Sequence, residues 1–208
     1  MATKRKNAQP WWGRRRVQRR LGILGALALV VGVFAWLVVR GEGGGSGSGQ
    51  FLREPAPPFT LPTVAEGQVS LSDHVGRHNT LLYFSEGIGC APCFDQIVDL
   101  EADWDRFAAL DVELVSVMVD PMEELKAEID SLGIRGIVAT DEDKSVSLAY
   151  EAMEASMHPG VKPGHTFVLV NKAGEMIWRW DWIGHGKPMY VEVDDLYGDV
   201  AKWLARAG

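Results

Sequence analysis

The sequence predicts an α/β domain, a central mixed β-sheet flanked by helices in a three-layer arrangement, preceded by one N-terminal transmembrane helix. Three observations carry that prediction. Short apolar runs suited to buried strands alternate with segments whose apolar residues recur at helical spacing. A hairpin pattern and a final amphipathic segment close the chain. An unbroken apolar or glycine run, Leu21 to Val39, stands ahead of all of these.

The chain has 208 residues, 47% of them hydrophobic, which suffices for one membrane segment and one domain with a core of its own. The net charge of −7 hides a split. Residues 1–50 hold nine Lys/Arg and one acid, whereas residues 51–208 hold 12 basic and 27 acidic groups, a balance of −15. An acidic domain repels phosphate backbones, so nucleic acid is excluded as a partner. Two cysteines are too few for a disulfide scaffold or a four-cysteine zinc site.

Residues 1–20 read as a basic cytoplasmic tail and 21–39 as the anchor. At about 1.5 Å per residue the run LGILGALALVVGVFAWLVV spans roughly 28 Å, close to the hydrocarbon thickness of a bilayer. Arginines crowd its front flank, so the positive-inside rule puts the N-terminus in the cytoplasm and the rest outside. The small-residue triplet Ala26–Ala28 lies inside the run rather than after it, which favours an uncleaved anchor over a signal peptide. Residues 40–54, opening with GEGGGSGSG after Arg40, read as a flexible linker, and 55–208 as the folded domain.

Within that domain Thr80–Phe84 and Val112–Val119 suit buried strands. Between them Ile97, Leu100, Trp104 and Phe107 recur helically from Phe94 to Ala109. Pro121 opens a further helix that Gly133 ends. Ile137–Ala139 suggests a short strand, and Asp141 is suited to cap a helix through Val146, Leu148 and Tyr150. His165–Asn171 and Met176–Trp182 form a hairpin around Lys-Ala-Gly-Glu, and Val193 to Ala207 makes the last helix. Trp178, Trp180 and Trp182 alternate along one strand face, as core packing against that helix requires.

The chemistry lies in Cys90-Ala91-Pro92-Cys93, which follows a strand by a short loop and opens a helix. Unpaired N–H groups and the positive dipole end at a helix start stabilise a thiolate on Cys90. Cys93, one turn along, can resolve a mixed disulfide by closing the Cys90–Cys93 bond. Pro92 lacks an N–H and fits the first turn, where none is needed.

From about Pro55 to Ala207 the chain resembles the thioredoxin superfamily. The nearest branch is the redoxin one, containing peroxiredoxins of the alkyl hydroperoxide reductase/thiol-specific antioxidant type and membrane-tethered thiol–disulfide oxidoreductases. PAPPFTLPTVAEGQVSLSDHVGRHNTLLYF, CAPC, VATDEDKSVSLAYEAM and HTFVLVNKAGEMIWRW carry the resemblance. It implies a thioredoxin-like fold with Cys90 and Cys93 catalytic, and Pro92, His165 and Thr166 bordering the substrate. Glu86 is a substitute proton acceptor, since the usual acid position holds Phe84. Gln96 stands where some tethered reductases carry an active-site Glu, so that role is not transferred.

Three departures qualify the resemblance. Thioredoxins place a cis-proline before the Thr that opens the hairpin strand; here His165 precedes Thr166. Peroxiredoxins use Pro-x-x-x-Thr/Ser-x-x-Cys with an activating Arg. Those loop positions hold Tyr83 and Gly87 here, and no Arg neighbours Thr166 in sequence, which argues against efficient thiol peroxidase (antioxidant) activity. Sco-type copper chaperones carry a His at the hairpin strand with two upstream cysteines, and Cys90, Cys93 and His165 match that set in type, although Sco cysteines are spaced by three residues. The set suits copper.

His158 and His185 fall in loops and are expected to be exposed, and the acids of Glu192-Val-Asp194-Asp195 to cap the last helix. The reading is a single-pass cell-membrane protein with an extracytoplasmic thiol–disulfide oxidoreductase domain, acting on protein thiols and disulfides with a membrane electron donor and no cofactor. The alternative is copper handling.

Overall fold

The computed structural model describes residues 50–65, 67–183 and 189–208. The basic tail, the anchor expected at 21–39, most of the expected linker and His185 lie outside the described residues. Among the described residues no helix is long and apolar enough to cross a membrane.

The strands are β1 (Gln50–Pro55), β2 (Thr60–Pro62), β3 (Gln68–Ser70), β4 (Asn79–Phe84), β5 (Val112–Met118), β6 (Ile137–Thr140), β7 (Thr166–Val170) and β8 (Glu175–Asp181). The helices are α1 (Leu71–His74), α2 (Ala91–Ala102), α3 (Trp104–Ala108), α4 (Met122–Leu132), α5 (Ser145–Ala149) and α6 (Val193–Ala207). Six strands make one sheet in the order β1-β8-β7-β4-β5-β6. Strands β4, β5 and β6 run parallel, while β7, β8 and β1 join antiparallel, so the sheet is mixed as the sequence predicts.

Every residue of β4 is buried because both of its faces are covered. The strand period of two divides the core. Leu81, Tyr83, Phe167 and Leu169 point to one face, where α2, α4 and α6 bring Ile97, Leu125 and Val200. Leu82, Phe84, Val168 and Val170 point to the other, against Phe59, Leu61, Leu71, Val146 and Tyr150. Helices therefore flank both faces unequally. The long ones share one side, and the β2–β3 hairpin with the short α1 and α5 closes the other. Trp178 and Trp180 are buried in the same cluster as Leu196, Val200 and Trp203, and half-buried Trp182 packs beside them.

Several local expectations need correction. The segment expected as linker ends in β1, which pairs with β8, so the sheet begins at Gln50. The helix expected over Phe94–Ala109 breaks at Asp103, whose carboxylate takes Arg106 while its backbone leaves the helical region. Asp141 does cap α5, but from outside the turn. Its carboxylate accepts the N–H groups of Val146 and Ser147 at 3.2 and 2.6 Å, while Lys144 holds the boundary with φ +65°. Gly133 ends α4 at φ +69°, as expected.

Candidate redox site

Strand β4 aims the chain at the site. After Phe84 a loop of five residues leads to Cys90, which stands just outside α2, where its N–H donates to the Gly87 carbonyl at 3.0 Å. Cys90 and Cys93 are joined by a disulfide with a Cα separation of 5.4 Å. Cys93 is wholly buried, whereas Cys90 retains 8% exposure, so Cys90 is the less buried residue of the pair. Exposed Pro92 sits in the first turn of α2, where no N–H is needed, and the Cys93 N–H donates to the Cys90 carbonyl at 3.0 Å.

His165, placed at the mouth of β7, is buried against both sulfurs. Its Nε2 lies 2.8 Å from Cys93 Sγ and 3.8 Å from Cys90 Sγ. Its Nδ1 lies 3.0 Å from the Met189 carbonyl. A carbonyl only accepts, so Nδ1 carries the hydrogen and Nε2 presents a lone pair to the sulfurs. Burial pushes the imidazole down to about 4, opposed by the bond to Met189. Tyr83, stacked on Phe167, sets its hydroxyl 3.0 Å from the same Nε2, and burial keeps that hydroxyl protonated well beyond its ordinary range.

Glu86, the expected proton acceptor, is engaged with His158. It is buried and faces His158 Nδ1 at 3.5 Å, and the side chain seated on Cys93 is His165. His158 is exposed as expected, but it is paired. Thr166 is buried beside the site and donates to Asp181 Oδ1 at 2.8 Å. No arginine neighbours Thr166 in sequence, but Arg179 comes near it in space through Asp181. Arg179 shares Asp181 with Thr166 and also donates to the Tyr150 and Glu151 carbonyls.

Five residues support the site, of which Met189, Asp120 and Lys162 carry no signal in the sequence, while Gln96 and Tyr83 stand at positions where family members carry other residues. Met189 brings Sδ to 3.6 Å from Cys90 Sγ. Gln96, fully buried, exchanges two hydrogen bonds with the Val191 backbone and so fixes the segment that carries Met189. Tyr83, Asp120 and Lys162 complete the surroundings.

Cys90, Cys93 and His165 place one donor atom each within 4.8 Å of one another. Opened to a dithiol, that set offers two thiolates and an imidazole whose other nitrogen is already engaged, a combination that suits a soft cation.

The model of the AhpC/TSA family matches residues 52–179. The chain belongs to this family. Over 99 residues it is 29% identical to two Mycobacterium tuberculosis chains, from strains CDC 1551 and H37Rv, that carry the name peroxiredoxin. The match covers 48% of this chain and 62% of each relative, so the chain spans about six-tenths of the length of the curated relatives it matches. Among solved structures, the reduced 2-Cys peroxiredoxin of Plasmodium vivax superposes with a TM-score of 0.65 at 21% identity, covering 76% of this chain and 99% of that one. The peroxidoxin BcpB of M. tuberculosis gives 0.62 at 12% identity, with coverage of 75% and 97%. A solution structure named for a protein disulfide isomerase of Bacteroides thetaiotaomicron gives a TM-score of 0.56 at 20% identity, covering 73% of this chain and 86% of that one. The shared fold makes this AhpC/TSA member a thioredoxin-like redoxin, and its CxxC pair is the feature through which such a fold does thiol redox chemistry.

Proposed function

We propose that this redoxin is a membrane-tethered, extracytoplasmic thiol–disulfide oxidoreductase acting on protein thiols and disulfides, with a membrane electron donor. The observation that carries the exchange chemistry is the asymmetry of the pair, Cys90 outside the helix and the less buried, Cys93 within it and sealed. Reduced Cys90 attacks a client disulfide, forming a mixed disulfide and releasing one client thiolate. Cys93 then attacks Cys90 Sγ, the second client thiolate leaves, and two electrons have passed to the client. His165 Nε2, unprotonated and 2.8 Å from Cys93 Sγ, is placed to accept a hydrogen bond from the attacking thiol, whose proton passes to the departing client thiolate. The tether rests on the apolar run 21–39 and the arginines before it.

The family's peroxiredoxin names argue for peroxide as substrate, but Tyr83 and Gly87 fill the loop positions a peroxidase uses, and Arg179 is engaged elsewhere. The clustered donors favour a second reading, in which the dithiol holds Cu(I) through Cys90, Cys93 and His165.

The deciding measurement is the equilibrium of the Cys90–Cys93 couple in a glutathione buffer, with and without one equivalent of Cu(I). A reversible couple indifferent to copper, with insulin reduction lost in Cys90→Ser, supports exchange. Protection of both thiols by copper that His165→Ala removes would turn the reading to copper. Rapid peroxide consumption would turn it to a peroxidase.

A further inference from the structure

We infer that Asp120 and Lys162 are positioning residues for the redox pair, clamping the Gly87–Ile88 turn so that Cys90 stays within bonding reach of Cys93 when the disulfide opens. Both polar groups of Ile88 are held by one ion pair. Its N–H donates to Asp120 Oδ2 at 3.1 Å, its carbonyl accepts from Lys162 Nζ at 2.7 Å, and Nζ reaches Asp120 Oδ1 at 3.0 Å. The Asp120 side chain is 8% exposed and that of Lys162 26%. Such a pair is held by its partners rather than by water, and removing one partner leaves the other stranded.

The clamp passes directly to the chemistry. Gly87, on one side of Ile88, accepts the Cys90 N–H. It also lies so close to Asp120 that a Cβ would stand 1.8 Å from Oδ2, and its φ is +69°. The far sides are rigid. The Asp120 carbonyl accepts the buried Thr140 hydroxyl at 2.6 Å, tying it to the end of β6. The Lys162 segment is closed by Gly164, where a Cβ would stand 1.7 Å from the Ala155 carbonyl, and it leads straight into His165.

Cys93 is fixed by α2, whereas Cys90 lies outside the helix and takes its position from this turn. The stability of an internal disulfide follows the effective concentration of one thiol at the other. A turn that keeps its shape in the dithiol form holds that concentration high and favours closure. The inference rests on the exchange reading above. Pinning and charge make different predictions. If the pair acted by its field on the thiols, loss of the anion and loss of the cation would shift the couple in opposite directions.

The test uses the full-length chain equilibrated with glutathione, comparing wild type, Asp120→Asn, Lys162→Met and the double variant, with Lys172→Met as control. Each single variant is expected to lower the equilibrium constant for disulfide formation at least tenfold, a rise in potential of about 30 mV. The double variant should do no more than either single one, because both break the same clamp. Opposite shifts, or none, would overturn the inference while leaving exchange intact. A wild type with no reversible couple overturns both. Should a variant not fold, hydrogen exchange at the wild-type Ile88 amide decides: protection kept in the dithiol form supports the clamp, and protection lost on reduction refutes it.

Discussion

At its first residue β4 is met by charges that water reaches, and at its last it runs into charges that water barely reaches. Beside Asn79, His78 and Lys172 both engage Asp111, and all three side chains are nearly half exposed. The Lys172 bond, then His78, holds the Asp111 carboxyl below the usual carboxylate range. Beyond Phe84 come buried Ser85 and Glu86, then Gly87 pressed against the Asp120–Lys162 pair. The same Asp–Lys chemistry occurs at both ends. Water screens the first pair, which contributes little, whereas the second fixes a backbone turn. The end that carries the chemistry is also the end that tolerates least change.

Substitutions at the two ends should separate them. Gly87→Ala forces a Cβ onto Asp120 at a left-handed backbone position and should cost roughly 4 kcal/mol of unfolding free energy. Gly76→Ala, at φ +82° with open space around it, should cost about 1 kcal/mol. Equal losses in urea unfolding would break the comparison.

Acid should act at the buried end next. His165 is held to about 4 when folded, below its ordinary value near 6.5. The unfolded chain therefore takes up a proton that the folded chain refuses as pH falls from about 6.5 to about 4. Stability fully present above that interval drops by about 3 kcal/mol across it. Urea midpoints of wild type and His165→Phe, followed from pH 7 to pH 4.5, should diverge. Parallel profiles would refute the assignment.

A smaller effect is expected at Gln96→Leu, about 2 kcal/mol, because the Val191 backbone loses both its partners. This variant should also flatten the pH profile if Gln96 holds the Met189 carbonyl on His165. Lys172→Ala, at the exposed end, should leave the urea midpoint unchanged within error.

Legibility in the sequence followed contact range. The strands at Val112 and Thr166, the hairpin after His165 and the last helix each announce themselves within a dozen residues, and α6 falls on Val193–Ala207 as predicted. Strands β2 and β3 have three residues each, too short for a periodic signal. Strand β1 was hidden because its reason for being extended is β8, more than a hundred residues away. At the site, CxxC before an apolar helix face is a local pattern and the disulfide is where it points. His165 was singled out, but its tautomer depends on a carbonyl 24 residues on. Glu86 lies close to Cys90 in sequence, yet its carboxylate faces His158, a partner 72 residues away that no local pattern reveals. Asp120 and Lys162, which lie 32 and 74 residues from Ile88, carried no signal at all.

Strand β1 has a practical consequence for anyone trimming this chain. A fragment started at Pro55, where composition alone would put the domain boundary, removes the neighbour of β8 and leaves Trp178 and Arg179 on an open sheet margin. Such a margin, rich in tryptophan and lacking a covering strand, is a template for pairing with a second molecule. Shortened preparations beginning there should self-associate, whereas those that retain Gln50 should stay dispersed under the same conditions.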